Sequence, residues 1–323
     1  MVRQFSILLV FISFLFCSCE RALDLGYIDT PPILVINSSF ETNQDHGMDY
    51  IKLSVLKSVS LFSDDTIAFI DYADVAILKG NTDIEELELA YSDDGTPFYK
   101  TSFFPENGGT YKIVVDVEGF DQIVASGDFP APQQWDSTSI TNKTNDLSFK
   151  KKGFKKINFD VNVYFNDNPD DINFYQLKIF GRLENVHVDT NGNVTNVLDQ
   201  NYQLLRMRNQ QDNGLNSIIN NDFDSNLVGA YFEDDTFNGK KNHRITFQVS
   251  CILKNTQSLK EIGVEFNAIG KEFYRYNQSI DELSKSFIGD NKSHSKSPYS
   301  SIKSENGYGV FGGINPQWKS VDF

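Results

Sequence analysis

Cysteine and histidine are scarce, with three and four in 323 residues. After the first nineteen residues only one cysteine, Cys251, is left, so no disulfide framework holds this chain and its core must do so. The histidines, His46, His187, His243 and His294, fall at no metal-ligand spacing, and no H-E-x-x-H or G-x-S-x-G occurs. Basic residues are outnumbered 29 to 44 by acidic ones, giving a formal charge of −15. A surface of that sign excludes phosphate-neutralising contact with nucleic acid and a broad electrostatic dock on anionic lipid. Internal repeats, coiled-coil heptads and a second long apolar run are also missing. The acidic residues are scattered, which describes a soluble, self-repelling surface.

The one long apolar run stands at the start, in MVRQFSILLVFISFLFCSC. Arg3 supplies a positive charge, residues 5–16 an apolar core too short to span a bilayer comfortably, and Ser18 a small residue before a cut. Cleavage there makes 1–18 a signal peptide and Cys19 the first mature residue, an arrangement that resembles a bacterial lipoprotein signal. Acyl chains on Cys19 would bury dozens of methylenes at about 0.8 kcal/mol each, a lasting membrane anchor. A freely secreted protein and an uncleaved anchor helix are the alternatives. Residues 19–31 read as a tether, with Glu20 and Asp24 as sparse acidic residues behind the lipid site.

From residue 32 onward the chain reads as strands. Ile51, Leu53, Val55, Val59 and Leu61 alternate, as do Tyr111, Ile113, Val115 and Val117. Residues 33–36, 73–78 and 98–103 are further short strands, and turn residues separate them at SDDG (92–95) and ENGG (106–109). This pattern predicts an Ig-like antiparallel β-sandwich over 32–132. Two prolines in FPAPQQ (129–134) mark a junction. A larger β-rich domain follows over 133–323. In it Ile157, Phe159, Val161, Val163 and Phe165 alternate strictly, and strands are expected over 173–182, 244–253 and 262–267. Asn191-Gly192 marks a hairpin tip. Phe273, Tyr276, Ile280, Leu283 and Phe287 recur at helical spacing and predict a helix near 271–287. A second short helix is expected within the polar stretch 210–223, and the Gly-rich tail is expected as a final strand or loop closing the sheet.

PPILVINSSF, GTYKIVVDVEGF, FPAP, VYFNDNPDDINFYQLKIFG and SPYSSIKSENGYGVFGG occur in that order. Together they resemble a family of Bacteroidetes outer-membrane lipoproteins catalogued as domain of unknown function 4249. The tail carries the most specific match, at Ser297, Pro298, Ile302, Asn306, Gly307, Gly309, Phe311 and Gly312. It departs from the family at Ser301 and Lys303. The resemblance implies an all-β lipoprotein of the outer membrane, on either face, with no cofactor. It also implies a partner, since members are often encoded beside TonB-dependent receptors.

Sites are sparse by comparison. Cys251 lies in an alternating apolar run and reads as a buried strand residue. His187 and Asp189 share a strand face without further ligands, and DTNGN (189–193) reads as a hairpin turn, since Gln200 stands where a calcium loop needs Glu. The pairs Asp93-Asp94, Asp170-Asp171 and Asp234-Asp235 read as solvated turns. Trp135, Phe174, Tyr175 and Trp318 are the candidates for stacking on a ligand, with core packing as the competing reading. The expected function is a binding or accessory protein beside a TonB-dependent transporter in nutrient uptake. The alternatives are a surface hydrolase with an acidic site and a structural or adhesive surface protein.

Overall fold

A computed structural model of the chain describes residues 31–43, 48–59, 68–80, 82–103, 105–167, 172–209, 218–219, 229–235, 237–289, 298–302, 304 and 307–323. Cys19, the leader and nearly all of the tether lie outside them, as do Asp170, Asp171 and most of 210–223. Among the described residues the chain forms twenty strands and one helix.

The first nine strands are β1 (Leu34–Asn43), β2 (Met48–Lys57), β3 (Ala68–Phe69), β4 (Asp74–Lys79), β5 (Thr82–Glu86), β6 (Glu88–Tyr91), β7 (Pro97–Lys100), β8 (Gly109–Asp116) and β9 (Ile123–Phe129). Their alternation decides their packing. In β8, Tyr111, Ile113 and Val115 are buried while Lys112 and Val114 are not. The buried set joins Leu34, Ile36, Ile51, Leu53 and Val55 of β1 and β2 in one apolar core.

Past the prolines come β10 (Trp135–Asn145), β11 (Phe154–Phe165), β12 (Phe174–Val188), β13 (Val194–Leu198), β14 (Gln203–Leu204), β15 (Arg206–Asn209), β16 (Ile218–Ile219), β17 (Ala230–Glu233), β18 (His243–Lys254) and β19 (Gln257–Ile269). Helix α1 (Lys271–Gly289) and β20 (Gly307–Asp322) end the chain. Phe159, Val161, Val163 and Phe165 of β11 meet Leu177 and Ile179 of β12 and Val264 and Phe266 of β19 in a second core.

The sheets are layered accordingly. The largest runs in the order β16-β17-β12-β19-β20-β1-β2-β7-β6, with β13 and β14 added on β12 and β3 on β2. Two four-stranded sheets, β5-β4-β8-β9 and β10-β11-β18-β15, supply the opposing layers of the two cores. The protein is thus mostly β, with a sandwich-like arrangement of antiparallel sheets.

One pairing departs from the antiparallel pattern. The Gly-rich tail is a sixteen-residue strand inside the large sheet, antiparallel to β19 through 314–322 and parallel to β1 through 307–314. It closes no edge. It joins β1, the first strand of the described fold, to β19. The glycines are required by close approach: a Cβ on Gly313 would meet the Asp128 carbonyl oxygen at 2.6 Å, and one on Gly127 would strike the backbone of Phe311.

Helix α1 begins at the expected residue. Phe273 and Ile280 pack, with buried Tyr274, against Tyr231, Ile269 and Ile314, so this stripe serves packing. The side chain of Phe287 lies outside the described residues. The second helix expected within 210–223 also falls largely outside them, and residues 218–219 form strand β16.

Candidate functional site

A cleft of about 880 Å³ opens beside the first two turns of α1. Four elements build it. The chain leaves β9 through Pro130 and Ala131, whose neighbouring prolines fix the backbone dihedral and stiffen one rim. The start of β12 contributes Asn173, Phe174 and Tyr175, and the end of β17 contributes Glu233. Ala268, Ile269 and Gly270 form the floor, where β19 turns into α1. Gly270 allows that turn to be tight: its N–H donates to the Gly313 carbonyl at 2.8 Å, and a Cβ there would sit 2.8 Å from the Asp128 oxygen.

The helix turns one face to the cleft. Lys271, Tyr274, Arg275 and Gln278 follow the three- and four-residue spacing of a single helical stripe. The rings of Tyr274 and Phe174 lie 4.9 Å apart and form an apolar wall. Opposite charges stand around it, Lys271 and Arg275 on the helix, Asp128 and Glu233 on the strands. Burial raises the Glu233 carboxyl above its ordinary range, Asp235 adds to the rise, and Arg275 opposes it.

Beneath the cleft two carboxyl groups meet from distant parts of the chain. Tyr175 donates its hydroxyl to Asp167 at 2.7 Å, and the Gly239 N–H donates to the other Asp167 oxygen at 2.8 Å. Asp234 is 0 % exposed and accepts from the Asn173 side chain at 3.0 Å. Burial pushes the Asp234 carboxyl up to about 6, its bonds with Asn173 pull the other way, and Asp167 raises it further. These groups tie Asp234 and Gly239 to the start of β12. They are sealed under the cleft rather than open to it, so they do not form the separated, accessible pair that glycoside-type hydrolysis needs.

Asp234 therefore corrects the reading of Asp234-Asp235 as a solvated pair. Adjacent acidic residues in a turn look solvated in sequence, but the half-buried Asn173 bonds one of them inside the fold. Asp94 does behave as turn chemistry: its carboxylate accepts from the Ser92 hydroxyl and the Thr96 N–H and is held low by those bonds.

The four aromatic candidates separate. Trp135 is buried and stacks on Phe266 at 5.3 Å. Tyr175 is buried, and its hydroxyl faces Asp167. Phe174 is half-buried against Tyr274 and lines the cleft. Trp318 lies elsewhere, on the outer face of the large sheet, and is exposed. Cys251 is buried in β18, and burial pushes its thiol up to about 11, which leaves it unreactive. His187 is exposed. Asp189 is tied to the N–H groups of Asn191 and Asn193 in the hairpin turn. No group of three metal-donor side chains occurs among the described residues.

The cleft residues that sequence reading missed are Lys271, Arg275, Asn173, Gln133 and Glu233. A usable signal existed only on the helix, where a polar stripe at 271, 275 and 278 runs beside the apolar one. The others come from segments far apart in the chain.

Residues 20–320 match the family described as Domain of unknown function (DUF4249), and the chain belongs to that family. No curated protein matches it.

Proposed function

We propose that this protein is a lipid-anchored binding protein of the outer membrane, holding a small ligand in the α1 cleft beside a TonB-dependent receptor during nutrient uptake. The cleft carries the reading. Its volume of about 880 Å³ falls within the range of small-molecule sites. Its lining combines an aromatic wall, Phe174 and Tyr274, with amide and charged groups of both signs. Such a surface orients a ligand through stacking and hydrogen bonds. The nearby carboxyls of Asp167 and Asp234 are buried beneath the cleft, with Asp167 held by Tyr175 and Gly239, which favours capture over hydrolysis.

The leader supports the anchor. Its charged start, short apolar core and Ser18-Cys19 support a lipid on Cys19 as the first mature residue. A receptor partner is supported by the family context described above.

The test is co-purification from detergent-solubilised membranes with the tag on this protein. Enrichment of an outer-membrane barrel is expected. Recovery of this chain alone, across mild and stringent detergents, would overturn the accessory role. Tyr274→Ala, placed on the cleft wall, is expected to leave receptor recovery intact while lowering ligand capture.

A further inference from the structure

The outer face of the large sheet carries a second arrangement that the cleft does not use. Lys178, Phe180 and Arg182 of β12 stand opposite Glu265, Gly263 and Glu261 of β19. Glu265 and Gly263 in turn stand opposite Trp318 and Ser320 of β20. Alternation sends Leu177, Ile179, Val264 and Phe266 into the core and leaves this grid on the other side.

Trp318 dominates it. The ring leans over Gly263, where any Cβ would collide with it. Phe180 braces it at 5.3 Å and Tyr202 meets it edge-on at 5.0 Å. It remains 37 % exposed. A large aromatic held this firmly loses little conformational freedom when a ligand stacks on it.

The surrounding charges are matched and already ordered. Lys178 bonds Glu265 at 2.7 Å, and Arg182 bonds Glu261 at 2.7 Å. The Glu265 oxygen also accepts from Asn267 at 2.7 Å. Ser320 holds the Glu261 carboxyl below its ordinary range, with Tyr202 and Arg182 adding to the effect. Two cations against two carboxylates leave no net field to select an ion. What remains is a flat apolar ring edged by fixed donors and acceptors.

We propose that this face binds a neutral saccharide. The apolar C–H face of a pyranose ring stacks on Trp318, and its hydroxyl groups bond Glu261, Glu265, Lys178 and Arg182 at the rim. A flat ring with hydroxyls around its edge matches both parts of the arrangement. The proposal is independent of the α1 cleft and of the receptor partnership.

The chain has two tryptophans, and Trp135 is buried, so a ligand-induced change in tryptophan emission reports on Trp318. Full-length protein in detergent is titrated with soluble gluco-, xylo-, manno- and chito-oligosaccharides, and affinities are checked by calorimetry. At least one is expected to give a saturable emission change. Trp318→Ala is expected to weaken that binding about tenfold or more, a difference of about 1.4 kcal/mol. Glu261→Gln, which keeps the ring and its support on Gly263, is expected to weaken it several-fold. If Trp318→Ala proves unfolded by its thermal melt, Glu261→Gln decides. No saturable response to any of these sugars at concentrations on the order of 10 mM would overturn the proposal. Binding unchanged in folded Trp318→Ala, or unchanged in Glu261→Gln when that variant decides, would do the same. If Trp318→Ala instead abolishes receptor recovery while no sugar binds, the face is a protein contact and the proposal fails.

Discussion

Gly309 sits directly against the carbonyl oxygen of Ile36, its partner across the parallel pairing of β20 with β1. Its φ of +130° is one that side chains rarely adopt. Any Cβ at this position meets backbone, which cannot swing aside. Gly309→Ala is therefore expected to destabilise the protein by about 3 kcal/mol or more, combining backbone strain with a clash. Gly95→Ala, at φ +81° with no neighbour near the added methyl, is expected to cost about 1 kcal/mol. Urea unfolding of both compares them. Equal midpoints would remove the close approach as the cause.

Deleting residues 307–323 is expected to abolish soluble expression. Val310, Phe311 and Ile314 leave the packed interior, each contributing on the order of 1.5–3 kcal/mol, against about 5–15 kcal/mol for a whole domain. The deletion also uncovers β1 and β19, whose free backbone groups would pair with other chains. Soluble yield and a thermal melt are the measurements. A truncated protein that melts like the intact one would contradict the interior role of β20.

The Asp234 carboxyl titrates near 6 in the folded protein and near 4 in the unfolded chain. A carboxyl raised by folding contributes stability that is full below the unfolded value and is lost as pH rises through the folded one. Stability from this group should fall between about pH 4 and pH 6 and stay low above. Asp234→Asn imitates the protonated form. It is expected to raise the urea midpoint at pH 7 and leave it nearly unchanged at pH 4. A variant less stable than the parent at pH 7 would show that the fold favours the ionised carboxylate and would contradict the raised value.

Cys19→Ala is expected to release the protein from the membrane fraction or leave it as uncleaved precursor. Acyl-chain labelling and mass of the mature protein decide between anchored and free forms. Retained label with unchanged mass would place the anchor on Cys17.

Much of the strand order was legible because local alternation and burial agree. Tyr111–Val115 alternate in sequence and are buried in the same phase. In β11 the apolar Phe159, Val161, Val163 and Phe165 are buried as their alternation predicts, but Asp160 and Asn162 between them are buried as well. The Asn191-Gly192 tip folds as its residues require, with Gly192 at φ +82°. Strand β10, WDSTSITNKTN, was not legible. Its polar side chains are mostly exposed, and it exists through its pairing with β11. The β1–β20 pairing was hidden for another reason. Residues 34 and 307 are partners across nearly the whole chain, and no local pattern encodes a pairing that distant. The cleft was equally hidden, because 130–133, 173–175, 233, 238 and 271–278 meet only once the sheets form. On the outer face, sequence named Trp318 but not the glycine beneath it or the ion pairs around it.

The position of β20 also sets an order of events during synthesis. Strand β1 is made before every other described strand and pairs with β20, which is made after all of them. Until β20 arrives, one side of β1 has no neighbour, and Phe311 is missing from the apolar core of β1 and β2. Neither core reaches its final form before β20 is made, because β20 is the strand that connects them. The chain stays open until β20 is free to pair, and closure over so long a separation makes that step slow.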